Sequence, residues 1–486
     1  EDKSCSMRPA ATIAAMVFFL SAAALRGEPP SHIEGEMAGE VTQTSIILQS
    51  RLTAVRVDEN GDVPGVCGIA RFEIADNRGF DASRFTPWLE AAPESDFIVK
   101  ARVADLKPAT QYYYRLEFGP DRQHIERGPA RRFHTHPSAD TAARCSFVVV
   151  TGMNYHHFHY GVDKRPAYAG PDKHLGYPAL VSMLKRNPDF FVGTGDNVYY
   201  DAPPKTAAQT AAAMRKKWHE QFVQPRYIDF FAQVPTYWEK DDHDYRYNDC
   251  DNTGDKPPSV ELGLSTFREQ VPITDPADRD AVTYRTHRIG KLVQIWLTEN
   301  RDYRSPNRSP DGPQKTIWGR RQSDWLQDTL LKSDAVFKIL ISPTPMIGPD
   351  DAYKRDNHCN TGGFRHERDS FFAWAKANGL LEKGFYLVCG DRHWQYHSID
   401  PSGFEEFSTG ALVDANARLG VPPGSPRGTD PDAKIRQPYT SREPSGGFLN
   451  VVVKADDSGK IATAQFDFFD ENGDLLHTVS KARDIR

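Results

Sequence analysis

DFFVGTGDNVYYD, residues 189–201, is the stretch on which the fold turns. Phe190, Phe191 and Val192 form a short apolar run bounded by Gly193 and Gly195, and Asp196 follows at once. So short a run, apolar throughout, reads as a strand covered on both faces, as in a parallel or sandwich core. A carboxylate placed directly on the end of such a strand is costly to bury alone. A bound cation relieves that cost; a helix cap or a loop hydrogen bond is the plainer alternative.

The same design recurs along the chain. CSFVVVTG (145–152), KLVQIWLTEN (291–300), VFKILISPT (336–344) and GFYLVCGDRHW (384–394) are apolar runs that end in polar residues. Amphipathic stretches at 206–222 (TAAQTAAAMRKKWHEQF) and 319–330 (GRRQSDWLQDTL) are expected to be helices. This alternation predicts an α/β domain over 144–486 with its ligands at strand ends. Residues 446–479 add two or three strands around the Asn472-Gly473 turn, and the Pro-, Gly- and Asp-rich stretch 420–447 reads as a long surface loop bordering the site.

Residues 36–138 read differently. TSIILQSRLT (44–53), VCGIARFEIA (66–75), DFIVKARVADL (96–106), TQYYYRLEF (110–118) and RRFHTHP (131–137) are short strand-like runs separated by turn signals. They predict a separate small β-sandwich of fibronectin III type, carrying no chemistry of its own. Ahead of it, Arg8 precedes an apolar stretch from Ala10 to Leu25, followed by small residues up to Gly27. Residues 1–27 therefore read as a leader with a signal peptide, or alternatively an uncleaved anchor, and the mature protein as periplasmic or secreted. No later segment is apolar enough to span a bilayer, and a net charge of −6 argues against general nucleic-acid binding. Cys67, Cys145, Cys250, Cys359 and Cys389 contain no CxxC pair; Cys145 and Cys389 read as packing residues, and Cys250 and Cys359, in polar loops, offer a disulfide.

Two further strand-end clusters join Asp196, Asn197, Tyr199 and Asp201. Asp241, Asp242, His243 and Asp244 follow the apolar PTYW (235–238) and form a dense set of oxygen donors with one imidazole. That imidazole suits protonation of a leaving alkoxide. Asp391 and His393 lie two apart beyond Gly390, so on an extended strand end they point the same way, as a two-ligand clip or a structural pair.

Taken in order, GDNVYYD, WEKDDHDY, ENRDYR, WGRRQSDWL and GDRHW resemble the PhoD-type alkaline phosphatases and phosphodiesterases of the metallophosphoesterase superfamily. The resemblance implies two facing mixed sheets flanked by helices, with a dinuclear metal site between strand ends. It implies Asp196 as the bridging ligand, Tyr199 and Asp242 as ligands, and Asp391 and His393 as one ligand to each cation. His243 becomes the proton donor, and Arg301 and Arg304 hold phosphate oxygens. The implied substrate is a small phosphate monoester or diester, attacked by water at divalent cations, with calcium expected and iron or zinc as alternatives.

The sequence departs from the family at the first turn, VTGMNYHHFHYG (150–161), where Gly152 takes the place of a cysteine ligand. Asn154, His156, His157 and His159 are candidate replacements, Asn154 foremost. Glu299 stands where the family more often has Asp. Two other readings stay open at this level: an extracellular binding protein with a structural metal centre, and an esterase of the same fold acting on sulfate esters or phosphotriesters.

Overall fold

The structure, a computed structural model, describes residues 28–163, 165–278 and 280–485; the expected leader lies outside them. Two large sheets face one another. The first has nine strands, with Cys145–Val150 in its interior, paired in parallel with Phe190–Thr194 and antiparallel with Gly447–Ala455. The second has seven, in which Val293–Leu297, Phe337–Ser342 and Phe385–Cys389 run parallel to one another.

The strand residues alternate as a doubly covered sheet requires. Phe147, Val149, Phe190 and Val192 enter the core between the two sheets, where they meet Ile295, Ile339 and Val388. Val148, Val150 and Phe191 point the other way, against Trp218 and Phe222 of the helix Ala211–Phe222 and against the helix Pro225–Phe231. The outer face of the seven-stranded sheet is covered by the helices Gly319–Lys332 and Arg365–Ala377, through Leu326, Leu330, Phe371 and Phe372. The metallophosphoesterase-like double sheet flanked by helices is thus what the chain forms. The 206–222 helix starts later than its composition predicts, because the Thr210 side chain caps it by accepting from the Ala213 N–H.

The N-terminal strands divide between two sheets. Gly68–Ala75 and Gln111–Asp121 centre a six-stranded sheet, whereas Glu36–Gly39, Ile46–Arg51 and Ile98–Val103 extend the nine-stranded sheet. The join is a parallel pairing of Gly39 with Thr236. A buried ionic knot fastens the same boundary. His219, on the Ala211–Phe222 helix, sits with Nδ1 2.7 Å from Asp62 Oδ1 and Nε2 2.7 Å from Asp96 Oδ2. Arg51 and Gln270 also donate to Asp96, at 3.1 and 2.8 Å.

Cys250 and Cys359 form no disulfide. Both are buried free thiols, one 3.6 Å from the Asp242 carbonyl and the other 3.0 Å from Asn357 Oδ1. Among the described residues no helix is long and apolar enough to cross a membrane.

Candidate active site

The parallel strands of both sheets deliver their C-terminal ends to one edge, and the loops there carry the predicted residues. Gly390 marks the convergence: a side chain on it would lie 2.4 Å from the Thr194 carbonyl oxygen, 2.9 Å from that of Pro343 and 3.1 Å from Thr151 Oγ1. Two of the carboxylates stand on turns with left-handed backbone, Asp196 at φ 54° and Asp391 at φ 58°. Non-glycine residues hold such angles at a cost, commonly where side chains must be aimed into a site. The turn at Asp391 also corrects the extended clip expected of Asp391 and His393. The two side chains take different partners, Asp391 Oδ1 accepting from Arg392 at 2.5 Å and His393 reaching across to Asp196.

Two polar groups, one from the same turn and one from a distant segment, meet over Asp196. Tyr199 donates its hydroxyl to Asp196 Oδ2 at 2.9 Å, His393 Nε2 lies 3.1 Å from the same oxygen, and His393 Nε2 and the Tyr199 hydroxyl are 3.2 Å apart. Asp242 and His243 lie beside this group, with ligand atoms of Asp196, Asp242 and His243 all within 4.8 Å of one another. Two carboxylate oxygens here, Asp196 Oδ1 and Asp391 Oδ2, are buried with no hydrogen-bond partner. Burial lifts the Asp196 carboxyl to about 7, with Asp242 and Asp391 adding to the rise against the pull of His243. Burial, then the charges of Arg418 and His243, hold the His393 imidazole well below its ordinary value, so it is neutral with a lone pair to give. Orphaned carboxylate oxygens, a phenol and a neutral imidazole are donors that could hold a cation, which would satisfy their unmet demand.

His243 is of the opposite character. Burial opposes its charge, but Asp242, Asp201 and Asp196 outweigh burial and raise it well above the ordinary histidine value. Its Nδ1 is held 2.7 Å from Asp201 Oδ1. A second acidic group, Asp242, Asp249 and Asp356, adjoins the first and already holds an internal cation, with Lys354 Nζ 2.7 Å from Asp249 and 4.0 Å from Asp356.

Other predicted residues are placed differently. The Asn154 side-chain oxygen accepts from the His157 N–H at 2.9 Å and caps the helix Tyr155–Tyr160, while its Nδ2 is buried without a hydrogen-bond partner. Neither Arg301 nor Arg304 faces open space. Arg301 donates through Nε to Asp241 at 2.8 Å and through Nη1 to the Cys250 carbonyl at 2.8 Å. Arg304 donates to the carbonyls of Asn300 and Asp356, at 2.8 and 2.7 Å. Glu299 is paired with Lys240 at 2.6 Å.

Asn416 is the residue that sequence reasoning missed. Its Nδ2 donates to the Tyr199 hydroxyl at 2.8 Å and to the Gly152 carbonyl at 3.2 Å, and its Oδ1 lies 2.9 Å from His157 Nδ1. It fills the corner that Gly152 leaves. A Cβ on Gly152, at φ +68°, would stand 2.9 Å from Ala411 and 3.2 Å from Asn416 Nδ2.

Known proteins resemble this chain in sequence and fold. Alkaline phosphatase D of Bacillus subtilis (strain 168) is 23% identical over 421 residues, which cover 77% of this chain and 66%, just under two thirds, of that relative. A solved structure of PhoD superposes with a TM-score of 0.69 at 18% identity, covering 93% of this chain and 90% of that one. The purple acid phosphatase PPD1 from yellow lupin (Lupinus luteus) seeds superposes at 0.57 with 12% identity, over 93% of this chain and 74% of that one. At those identities the two structures establish the fold. A family model for the PhoD-like phosphatase N-terminal domain matches residues 21–137 and one for the PhoD-like phosphatase matches 147–429, more than half of the chain, which therefore belongs to the PhoD-like phosphatase family.

Proposed function

We propose that this chain is a metal-dependent phosphoesterase that hydrolyses phosphate monoesters or diesters outside the cytoplasm. The observation that carries the reading is the pair of buried, unpartnered oxygens, Asp196 Oδ1 and Asp391 Oδ2, beside the converging Asp242, Tyr199 and His393. Export rests on the Arg8 and Ala10–Leu25 leader pattern.

Asp196, Tyr199, Asp242, Asp391 and His393 would hold the cations. Bound there, divalent ions acidify a water and spread the charge that builds on a phosphoryl group under in-line attack. Calcium suits the hard carboxylate oxygens, and the absence of a thiolate at Gly152 removes the soft donor that favours iron.

The protein's own groups do the rest. His243, positively charged and steered by Asp201, gives a proton to the departing ester oxygen, which lowers the barrier most for poor leaving groups. Arg301 acts through Asp241: its buried guanidinium fixes the start of the Asp241–Asp244 turn and so the position of Asp242. The fully buried Arg392 does the same for the Asp391 turn, gripping Asp350 and Asp391 at once.

The test is chelation followed by reconstitution with single metals, read with monoester, diester, triester and sulfate ester substrates and with metal analysis. Metal removal is expected to abolish phosphoesterase activity, and calcium or a transition metal to restore it. Full activity in metal-stripped protein overturns the reading.

A further inference from the structure

Beyond the charge that bound cations would supply, a phosphoryl group at this site is best held by an exposed guanidinium, and the buried arginines do not offer one. Arg301, Arg304 and Arg392 are at most 4% exposed, and their guanidinium groups are engaged by neighbouring carboxylates and carbonyls. Arg418 differs on both counts. Its side chain is 36% exposed, and among the described residues its one polar side-chain partner is Asp351, 3.2 Å from Nη1.

The path of the backbone puts Arg418 at the mouth. Two residues earlier Asn416 donates to the Tyr199 hydroxyl, and the Arg418 N–H itself donates to the His393 carbonyl at 2.9 Å. The segment therefore runs from one ligand to another across the cluster. It is also seated firmly. The guanidinium carbon lies 4.9 Å from the centroid of the Trp394 ring, and a side chain on Gly420 would come within 2.1 Å of that indole, so only glycine lets the loop lie flat there. Arg165 holds the Ala417 carbonyl at 2.5 Å.

We propose that Arg418 binds the phosphoryl oxygens of the substrate at the mouth of the ligand cluster. Nη1 stays on Asp351 while Nε and Nη2 present the paired N–H donors that match two phosphate oxygens. The assignment rests on the phosphoesterase reading for its biological sense but not for its test.

The experiment uses the metal-replete full chain and inorganic phosphate as probe. Phosphate affinity is measured by calorimetry, and KM and kcat with nitrophenyl phosphate and bis(nitrophenyl) phosphate, for wild type, Arg418→Ala, Arg418→Gln and Arg418→Lys. Charge-assisted hydrogen bonds of this kind predict phosphate binding weaker by about 10- to 100-fold in the Ala and Gln variants. Partial recovery is expected in Lys, with metal content and melting temperature unchanged. Unchanged phosphate affinity in the Ala and Gln variants, or wild type that binds no phosphate, overturns the assignment. Loss of metal in all three variants also overturns it, in favour of a structural role. Wild type that binds phosphate through Arg418 but hydrolyses no ester leaves this assignment standing and sinks the phosphoesterase reading instead.

Discussion

Replacing His219 with glutamine separates charge from shape in the knot that ties the N-terminal strands to the catalytic helices. His219 is almost fully buried, and burial alone would push its imidazole down. Asp62 and Asp96, one on each ring nitrogen, outweigh burial and hold it at about 9 against an ordinary 6.5. Because the folded-state value is the higher one, the protonated ring stabilises the folded chain fully below pH 6.5, and that stabilisation is lost as pH rises through 9. The two values give about 3 kcal/mol at pH 6, about 2 kcal/mol at pH 7.5 and less than about 0.5 kcal/mol at pH 9. Glutamine keeps a donor and much of the volume but never carries the charge. Urea unfolding of wild type and His219→Gln across pH 6 to 9.5 is expected to show a stability difference that shrinks by about 3 kcal/mol over that span. A difference that stays flat with pH refutes a charged clamp, whatever its size.

Two substitutions probe the site itself. His243→Ala is expected to lower turnover about 100-fold or more on alkyl phosphates but far less on nitrophenyl esters, whose leaving group needs little protonation; equal losses on both show that His243 is not the proton donor. Protein purified without chelators is expected to carry divalent metal and to lack a visible tyrosinate-to-iron band. Gly152→Cys is not expected to restore such a band. At φ +68° and 2.9 Å from Ala411 the new side chain should instead cost roughly 1–3 kcal/mol, seen as a lower melting temperature. A coloured, stable variant refutes that account of the turn.

What the sequence discloses here is what local patterning can carry. The alternation of Phe147 and Val149 with Val148 and Val150 announces a strand covered on both faces, and a carboxylate directly after such a strand announces a site. Asp196 stands out for that reason, as do Asp242 with His243 and Asp391 with His393 at other strand ends, whereas the role of Tyr199 is implied only by the family resemblance. Asn416 is not, because it reaches Tyr199 through a bend in a loop without helix or strand pattern, and an asparagine among loop residues has no distinguishing signal. Arg301 and Arg304 look like phosphate-binding residues in sequence. Their engagement by Asp241 and by the carbonyls of Cys250, Asn300 and Asp356 appears only once the loops are packed. The split of the N-terminal strands between two sheets is equally silent, since the pairing of Gly39 with Thr236 leaves no mark on either neighbourhood.

That pairing and the pairings of the strand 145–150 constrain the order in which the chain can fold. The strand 145–150 takes one neighbour from residues 190–194 and the other from residues 447–455. The first strand, 36–39, has its partner on the catalytic side at residue 236. As the ribosome delivers the chain, the strand 145–150 keeps one bare edge of N–H and C=O groups until residues 447–455 arrive, about 300 residues later. Closure of such distant strands is slow, because loop entropy is spent before the contacts repay it. An open apolar edge in the meantime is an invitation to wrong partners. The sheet is therefore closed by a segment made after every residue of the Asp196, Asp242, Asp391 and His393 cluster.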